Sequence, residues 1–307
     1  MDSRKVLDTT SIGLMTVLCV IWGLTQVVLK LAAPDITPLM QIALRSGFAA
    51  LLVALLMVIR REPLTVRDGT WRPGLLVGVF FALEFLLVGE GLRFTTASHM
   101  AVLLYTAPIF AALGLHLLMP SERLKKLQWF GIGCAFVGIT ITFLGRTQST
   151  QVNSMSDLLI GDLMAVAAGV AWGATTVAVR CSYLARISAA QTLLYQLAVG
   201  FVFLLIAAVV LGQTEVRFTG LTLGSLVFQS VIVCFASYLA WFWLLRHYMA
   251  SQLSIFSFLT PLFGVAFGVW LLDEPLEFSF IAGAVLVLTG ILMVSGYSWI
   301  AAQMTRK

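Results

Sequence analysis

The sequence predicts an all-α membrane protein of ten transmembrane helices arranged as two inverted five-helix repeats. Three observations predict it. The 307 residues are 60% hydrophobic and 11% charged, against about 45–50% apolar and about 25% charged for soluble chains, and the mean hydropathy is +0.99. Apolar runs recur at lengths that can cross a bilayer, which takes about 20 residues. The second half of the chain repeats landmarks of the first. Ten spans consume about 200 residues, which leaves short connections and no soluble catalytic or nucleic-acid-binding domain. The pI near 9.2 therefore reports membrane sidedness rather than affinity for nucleic acid.

In chain order the apolar runs are 12–31, 39–59, 74–92, 100–119, 127–144, 158–179, 188–211, 221–245, 251–272 and 278–300. Arg4 and Lys5 ahead of the first run imitate a signal peptide, with Ala32-Ala33 as its cleavage site. The run is long enough to span and its pattern recurs, so it is read as a permanent helix. The longest polar connection, 146–157, separates a first repeat, 1–145, from a second, 158–307, and is expected outside the cytoplasm. Alternate connections sort the charges. The set containing both termini holds 14 Lys/Arg, the other set 4 (Lys30, Arg93, Arg146, Arg217), and Arg45 lies inside helix 2. Asp35, Asp157, Glu215, Asp273, Glu274 and Glu277 fall on the arginine-poor side. The positive-inside rule then places both termini in the cytoplasm.

The repeat is collinear. Trp22-Gly23, Thr25 and Lys30 recur as Trp172-Gly173, Thr175 and Arg180, spaced by 150. Arg93, Ala97-Ser98 and Pro108 recur as Arg246, Ala250-Ser251 and Pro261, spaced by 153. Glu122-x-Leu124, Gly131 and Gly138 recur as Glu274-x-Leu276, Gly283 and Gly290, spaced by 152. Five helices per half is an odd number, so the second half enters the membrane from the opposite side. Inverted repeats are the architecture of transporters whose site lies near the midplane between the halves. Matched interruptions are expected at Pro108 in helix 4 and Pro261 in helix 9, because proline frees a carbonyl one turn back and weakens the helix there.

Ten helices in a five-plus-five repeat, the two Trp-Gly pairs, Arg45, the paired prolines and the Glu-x-Leu segments ahead of the paired glycines together resemble the EamA-type transporters of the drug/metabolite transporter superfamily. The resemblance covers nearly the whole chain. It implies a bacterial inner-membrane exporter of amino acids, related metabolites or toxic compounds. It also implies that helices 1–4 and 6–9 surround the pathway while helices 5 and 10 pack at the periphery.

Several residues are candidates for that pathway. Glu84 is ten residues into helix 3; a carboxylate near mid-bilayer costs several kcal/mol, so it is expected to face protein or water, either binding a substrate ammonium or a coupling proton or being satisfied by neighbouring polar groups with no coupling role. Arg45 shares a helix 2 face with Gln41, four residues away, and its repeat partners are Thr192 and Gln196. Arginine is suited to gripping a carboxylate with paired donors; the rival reading is a bridge to Glu84 or to backbone carbonyls. Trp22, Thr25 and Gln26 form one helix face, as do Trp172, Thr175 and Thr176. Phe81, Glu84 and Phe85 have Cys234, Ser237 and Tyr238 as counterparts, with Trp241 farther along. Tyr105 and Phe258 precede the two prolines. An aromatic lining could hold an organic cation or a ring, or simply pack.

Glu90 and Arg93, three residues apart, read as a local ion pair. Gly74/Gly78 and Gly264/Gly268 read as close-packing faces. The four cysteines form no CxxC or Cys/His cluster and read as packing residues. His99, His116 and His247 lack metal-ligand spacing and read as interfacial. No catalytic residue, metal or cofactor is expected. The expected partners are a small-molecule substrate and the lipid bilayer, and a homodimer is compatible with them. No GxxxxGK[ST] is present, so energy is expected from the substrate gradient or a coupled ion. The competing readings are an exporter of toxic organic cations and, from another class, an intramembrane enzyme or receptor subunit.

Overall fold

The structure is a computed structural model that describes residues 8–62, 69–120, 123–144, 155–248, 253 and 256–304. Of the sequence landmarks, Arg4, Lys5, Glu122, Ala250-Ser251 and most of the 146–157 connection lie outside the described residues.

Among the described residues the chain is helical. Helix α1 (Thr9–Leu31) starts at a capping box in which Asp8 accepts the Ser11 N–H and the Ser11 hydroxyl faces back. That bond holds the Asp8 carboxyl below the usual carboxylate range. Helix α2 (Pro38–Ile59) follows a Thr37 cap with proline at its first turn, where a missing N–H costs nothing. Helix α3 spans Trp71–Gly91. The fourth span breaks as the proline predicts: α4 (Ala97–Leu104) ends at Tyr105-Thr106 and α5 (Ala107–Leu118) restarts with Pro108 in its first turn. Helices α6 (Lys126–Leu144) and α7 (Met155–Arg180) follow, then α8 (Ala189–Val210) under a Ser188 cap.

The eighth span is not one regular helix. It runs as α9 (Gly220–Val227), a π-helical segment (Phe228–Ser237) and α10 (Tyr238–His247). A matching break at Ser257-Phe258 precedes α11 (Leu259–Leu272), and α12 (Phe278–Met304) closes the order.

Among the described residues seven helices are long and apolar enough to cross a membrane, and three shorter apolar ones lie at Lys126–Thr142, Leu259–Leu272 and Phe278–Val294. Large apolar side chains such as Leu51, Leu55, Val58, Val210 and Trp270 stand on the outer surface. In water such a surface would aggregate; against lipid tails it needs no cover.

Glycines set how the two halves interlock. A Cβ at Gly23 would lie 2.8 Å from the Phe263 Cβ, so α1 presses on α11, and one at Gly173 would lie 2.8 Å from the Phe110 Cβ, so α7 presses on α5. Each Trp-Gly glycine thus seats the first helix of one half on the fourth of the other. Helices α6 and α12 form a ladder in which Gly131 meets Gly290 and Gly138 meets Gly283. Rising residue numbers on one helix meet falling numbers on the other, so α6 and α12 are antiparallel, the relation that inversion imposes on equivalent helices.

At the Lys30 end of the bundle, Ile36 bridges Val216 and Arg217 N–H donates to the Asp35 carbonyl. At the opposite end Tyr248 donates to Asp8, and Met15, Leu18 and Cys19 pack on Leu244 and Leu253.

Candidate functional site

The interior between the halves is greasy with a few polar anchors. Arg45 on α2 is 1% exposed and lies 4.4 Å over the Phe85 ring, with Phe81 tilted against Phe85 at 4.6 Å. Its Nη1 donates to Gln229 Oε1 at 2.6 Å, while Nε and Nη2 have no hydrogen-bond partner. Gln229 is fixed at its other end, donating from Nε2 to the Thr25 carbonyl at 2.9 Å. Glu84, 6% exposed, makes no hydrogen bond or ion pair with a described residue. It lies within electrostatic reach of Arg45, and Tyr105 and Tyr238 share that neighbourhood. Among the described residues Arg45 bridges neither to Glu84 nor to a carbonyl: its hydrogen-bond partner there is a neutral amide.

Aromatic pairs close around these groups. Trp22 stands edge-on to Trp241 at 5.7 Å and donates its indole N–H to Ser237 Oγ at 2.8 Å. Tyr105, at the α4–α5 break, stands edge-on to Trp172 at 5.3 Å. Phe258 is buried at the second break. Gln26 is buried with its Oε1 unpartnered, and Ser230 and Thr260 hold unpartnered hydroxyls. A buried polar atom without a partner costs about 1–3 kcal/mol.

Other candidates fall elsewhere. Gln41 joins the backbone: its Nε2 donates to Leu29 and Ile36 carbonyls at 3.0 Å and its Oε1 accepts from Ser225. Thr176 is exposed and bonds back to the Trp172 carbonyl of its own helix. Thr192 does the same toward Ser188, and Gln196 is half-buried on α8. Glu90 and Arg93 form the local ion pair at 2.7 Å. Cys19 and Cys234 are buried packing residues, but Cys181 is exposed.

The reading of His99 as interfacial is corrected. Its ring is buried, stacks on Phe280 at 4.1 Å and pairs with Asp162 Oδ2 at 2.9 Å. Asp162, fully buried, also accepts from the Thr95 hydroxyl. Beside it the Glu274 carboxylate takes the Ala97 and Ser98 N–H groups and the Ser98 hydroxyl, with Lys30 Nζ at 3.7 Å. This cluster ties α1 and α4 to α7 and the α11–α12 connection at the Lys30 end. Asp273, in the left-handed region at φ 52°, turns the chain so that Glu274 reaches α4.

Sequence reasoning missed Gln229 because it has no counterpart among the repeat landmarks and sits in the π segment. The buried positions there are Gln229, Ser230, Val233, Cys234 and Ser237. A signal was present: an amide in the middle of an apolar run. Glu274 was visible as a motif residue, but its contact with α4 spans 176 positions and no local pattern encodes it.

Comparison with known proteins gives the family and the fold. The profile of the EamA-like transporter family matches residues 9–144 and again 159–296. An uncharacterized transporter, YoaV, of Bacillus subtilis (strain 168) is 26% identical, covering 92% of this chain and 95% of its own. A probable amino-acid metabolite efflux pump of Escherichia coli (strain K12) is 25% identical, covering 91% of this chain and 93% of its own. A protein of known crystal structure superposes with a TM-score of 0.63 at 16% identity, over 93% of this chain and 97% of its own, which shows a shared fold. The chain is an integral membrane protein and belongs to the EamA-like transporter family.

Proposed function

We propose that this transporter is a secondary exporter of small amphipathic metabolites, amino acids foremost, working by alternating access across the inner membrane. In this reading ten spans form two inverted repeats, 1–145 and 158–307, joined by an extracytoplasmic 146–157 linker, with both termini in the cytoplasm. The double match to the family profile and the antiparallel α6–α12 ladder support the inversion. The charge asymmetry supports the orientation.

One observation carries the substrate class. A buried guanidinium with two unused donors and a buried carboxylate without a partner share one aromatic-walled interior. They complement the carboxylate and ammonium of a zwitterion, and rings such as Phe81, Phe85, Trp22 and Trp241 suit an apolar side chain. The name of the Escherichia coli relative points the same way. Glu84 is the candidate for ion coupling because it alternates between binding a cation and binding a proton at one place.

The test is counterflow of a panel of radiolabelled L-amino acids in proteoliposomes containing wild-type protein, Arg45→Gln or Glu84→Gln. Saturable counterflow that both variants lose is the expected result. Wild-type rate and pH dependence in Glu84→Gln would exclude ion coupling there. The unpaired Glu84 and the aromatic walls also suit a lipophilic cation. Overexpression that protects cells only against such cations, with counterflow indifferent to Arg45, would favour that second reading.

A further inference from the structure

A guanidinium offers two two-pronged edges: the end-on pair Nη1/Nη2 and the side-on pair Nε/Nη2. In this protein Gln229 occupies Nη1 alone, at 2.6 Å, and is itself tethered to the Thr25 carbonyl at 2.9 Å. The guanidinium carbon lies over the Phe85 ring, 4.4 Å from its centre. One nitrogen is thus pinned by Gln229 while the group rests on an aromatic ring. What remains is the side-on edge, Nε and Nη2, both buried and both without a partner. That edge is the geometry in which arginine binds one carboxylate through two parallel hydrogen bonds.

From this we infer that Gln229 is the positioning and specificity-determining residue of the substrate site. Held by the π segment, it presents the side-on edge of Arg45 to a single planar carboxylate. The inference rests on the reading of Arg45 as the carboxylate-binding group and names what makes it selective. A neutral amide is the side chain the task requires. It orients the cation as an acceptor but leaves the charge uncompensated for the ligand, whereas a glutamate in its place would neutralise it. The π geometry matters because α1 and α2 both contact this segment and Gln229 must reach each of them. Substrates that carry a carboxylate are then favoured over their esters, and the preference is set from position 229 without Gln229 touching the cargo.

The experiment compares L-amino acids with their methyl esters, which keep the ammonium and side chain but lose the anion. Thermal stabilisation of purified protein identifies the amino acids bound, and counterflow gives KM and kcat for each acid and ester. Wild-type protein, Arg45→Gln, Gln229→Ala, Gln229→Asn and Gln229→Glu are compared. Wild type is expected to prefer acid over ester about tenfold or more, the value of one or two hydrogen bonds to a charged group. Gln229→Ala raises KM for the acid about tenfold with kcat within about twofold. Gln229→Glu erases or inverts the acid preference, and Gln229→Asn falls between.

A variant that merely folds poorly lowers the active fraction and leaves both KM and the acid-to-ester ratio where they were. If Arg45→Gln abolishes the acid preference while all three Gln229 variants keep it, the positioning role is overturned and the Arg45 reading stands. If no amino acid binds, or Arg45→Gln keeps the preference, the Arg45 reading itself fails and this inference falls with it.

Discussion

Glu274→Gln tests whether a single carboxylate holds the Lys30 end of the bundle shut. Glu274 receives Ala97 N–H at 2.6 Å, Ser98 N–H at 2.9 Å and the Ser98 hydroxyl at 2.6 Å, with Lys30 Nζ at 3.7 Å. Glutamine keeps the shape but turns one oxygen into an NH2 group, which faces a backbone donor instead of accepting from it. The negative charge at the N-terminus of α4 is lost as well. Hydrogen bonds to a charged group contribute about 1.5–3 kcal/mol each, so the exchange weakens the contact by about 3 kcal/mol. The contact joins the first half of the chain to the second, and under the proposed alternating access it is made in one state and broken in the other. A loss of about 3 kcal/mol then shifts the ratio of the two states by about 100-fold.

Thiol reactivity reads that shift. With the four native cysteines replaced, a Met100→Cys thiol, buried in α4, is labelled by a maleimide in detergent, and an Ile139→Cys thiol on peripheral α6 serves as a folding control. Glu274→Gln should speed labelling at position 100 by about tenfold or more, as the open state becomes populated, while position 139 stays protected. Unchanged labelling at position 100, together with wild-type counterflow, would refute the reasoning.

Three further outcomes follow from the packing. Asp162→Ala strips buried Thr95 and His99 of their carboxylate partner and should lower stability by about 2–5 kcal/mol, seen as a fall in Tm in detergent; a loss below about 1 kcal/mol would mean water replaces the carboxylate. Gly138→Ala puts a Cβ 2.6 Å from the Gly283 carbonyl oxygen and should cost about 1–3 kcal/mol by forcing α6 from α12, whereas Gly133→Ala, with open space around it, should leave Tm unchanged. Asp273→Gly removes a side chain from the left-handed region and should raise stability by about 1 kcal/mol, seen as a higher Tm in detergent; an unchanged or lower Tm would overturn this.

The sequence by itself determined the membrane class, the landmarks of the repeat and the two broken helices. Each is written in local chemistry: composition decides whether water or lipid is the better solvent, and a proline inside an apolar run removes a helix hydrogen bond and interrupts the helix ahead of it. It also nominated Arg45 and Glu84, because a charge inside an apolar run is conspicuous. Tertiary structure decided how those charges are used. Arg45 could have met Glu84, a carbonyl or an amide; folding brought Gln229, 184 positions away, to one nitrogen and left the other edge free. Gln41, on the same helix face, was spent instead on tying α1 to α2, and His99, which looked interfacial, was buried against Asp162. These outcomes depend on which helices touch and at what register. Long-range polar pairing is a property of the packed bundle, since a donor is satisfied only by the acceptor that the neighbouring helix happens to bring within about 3 Å.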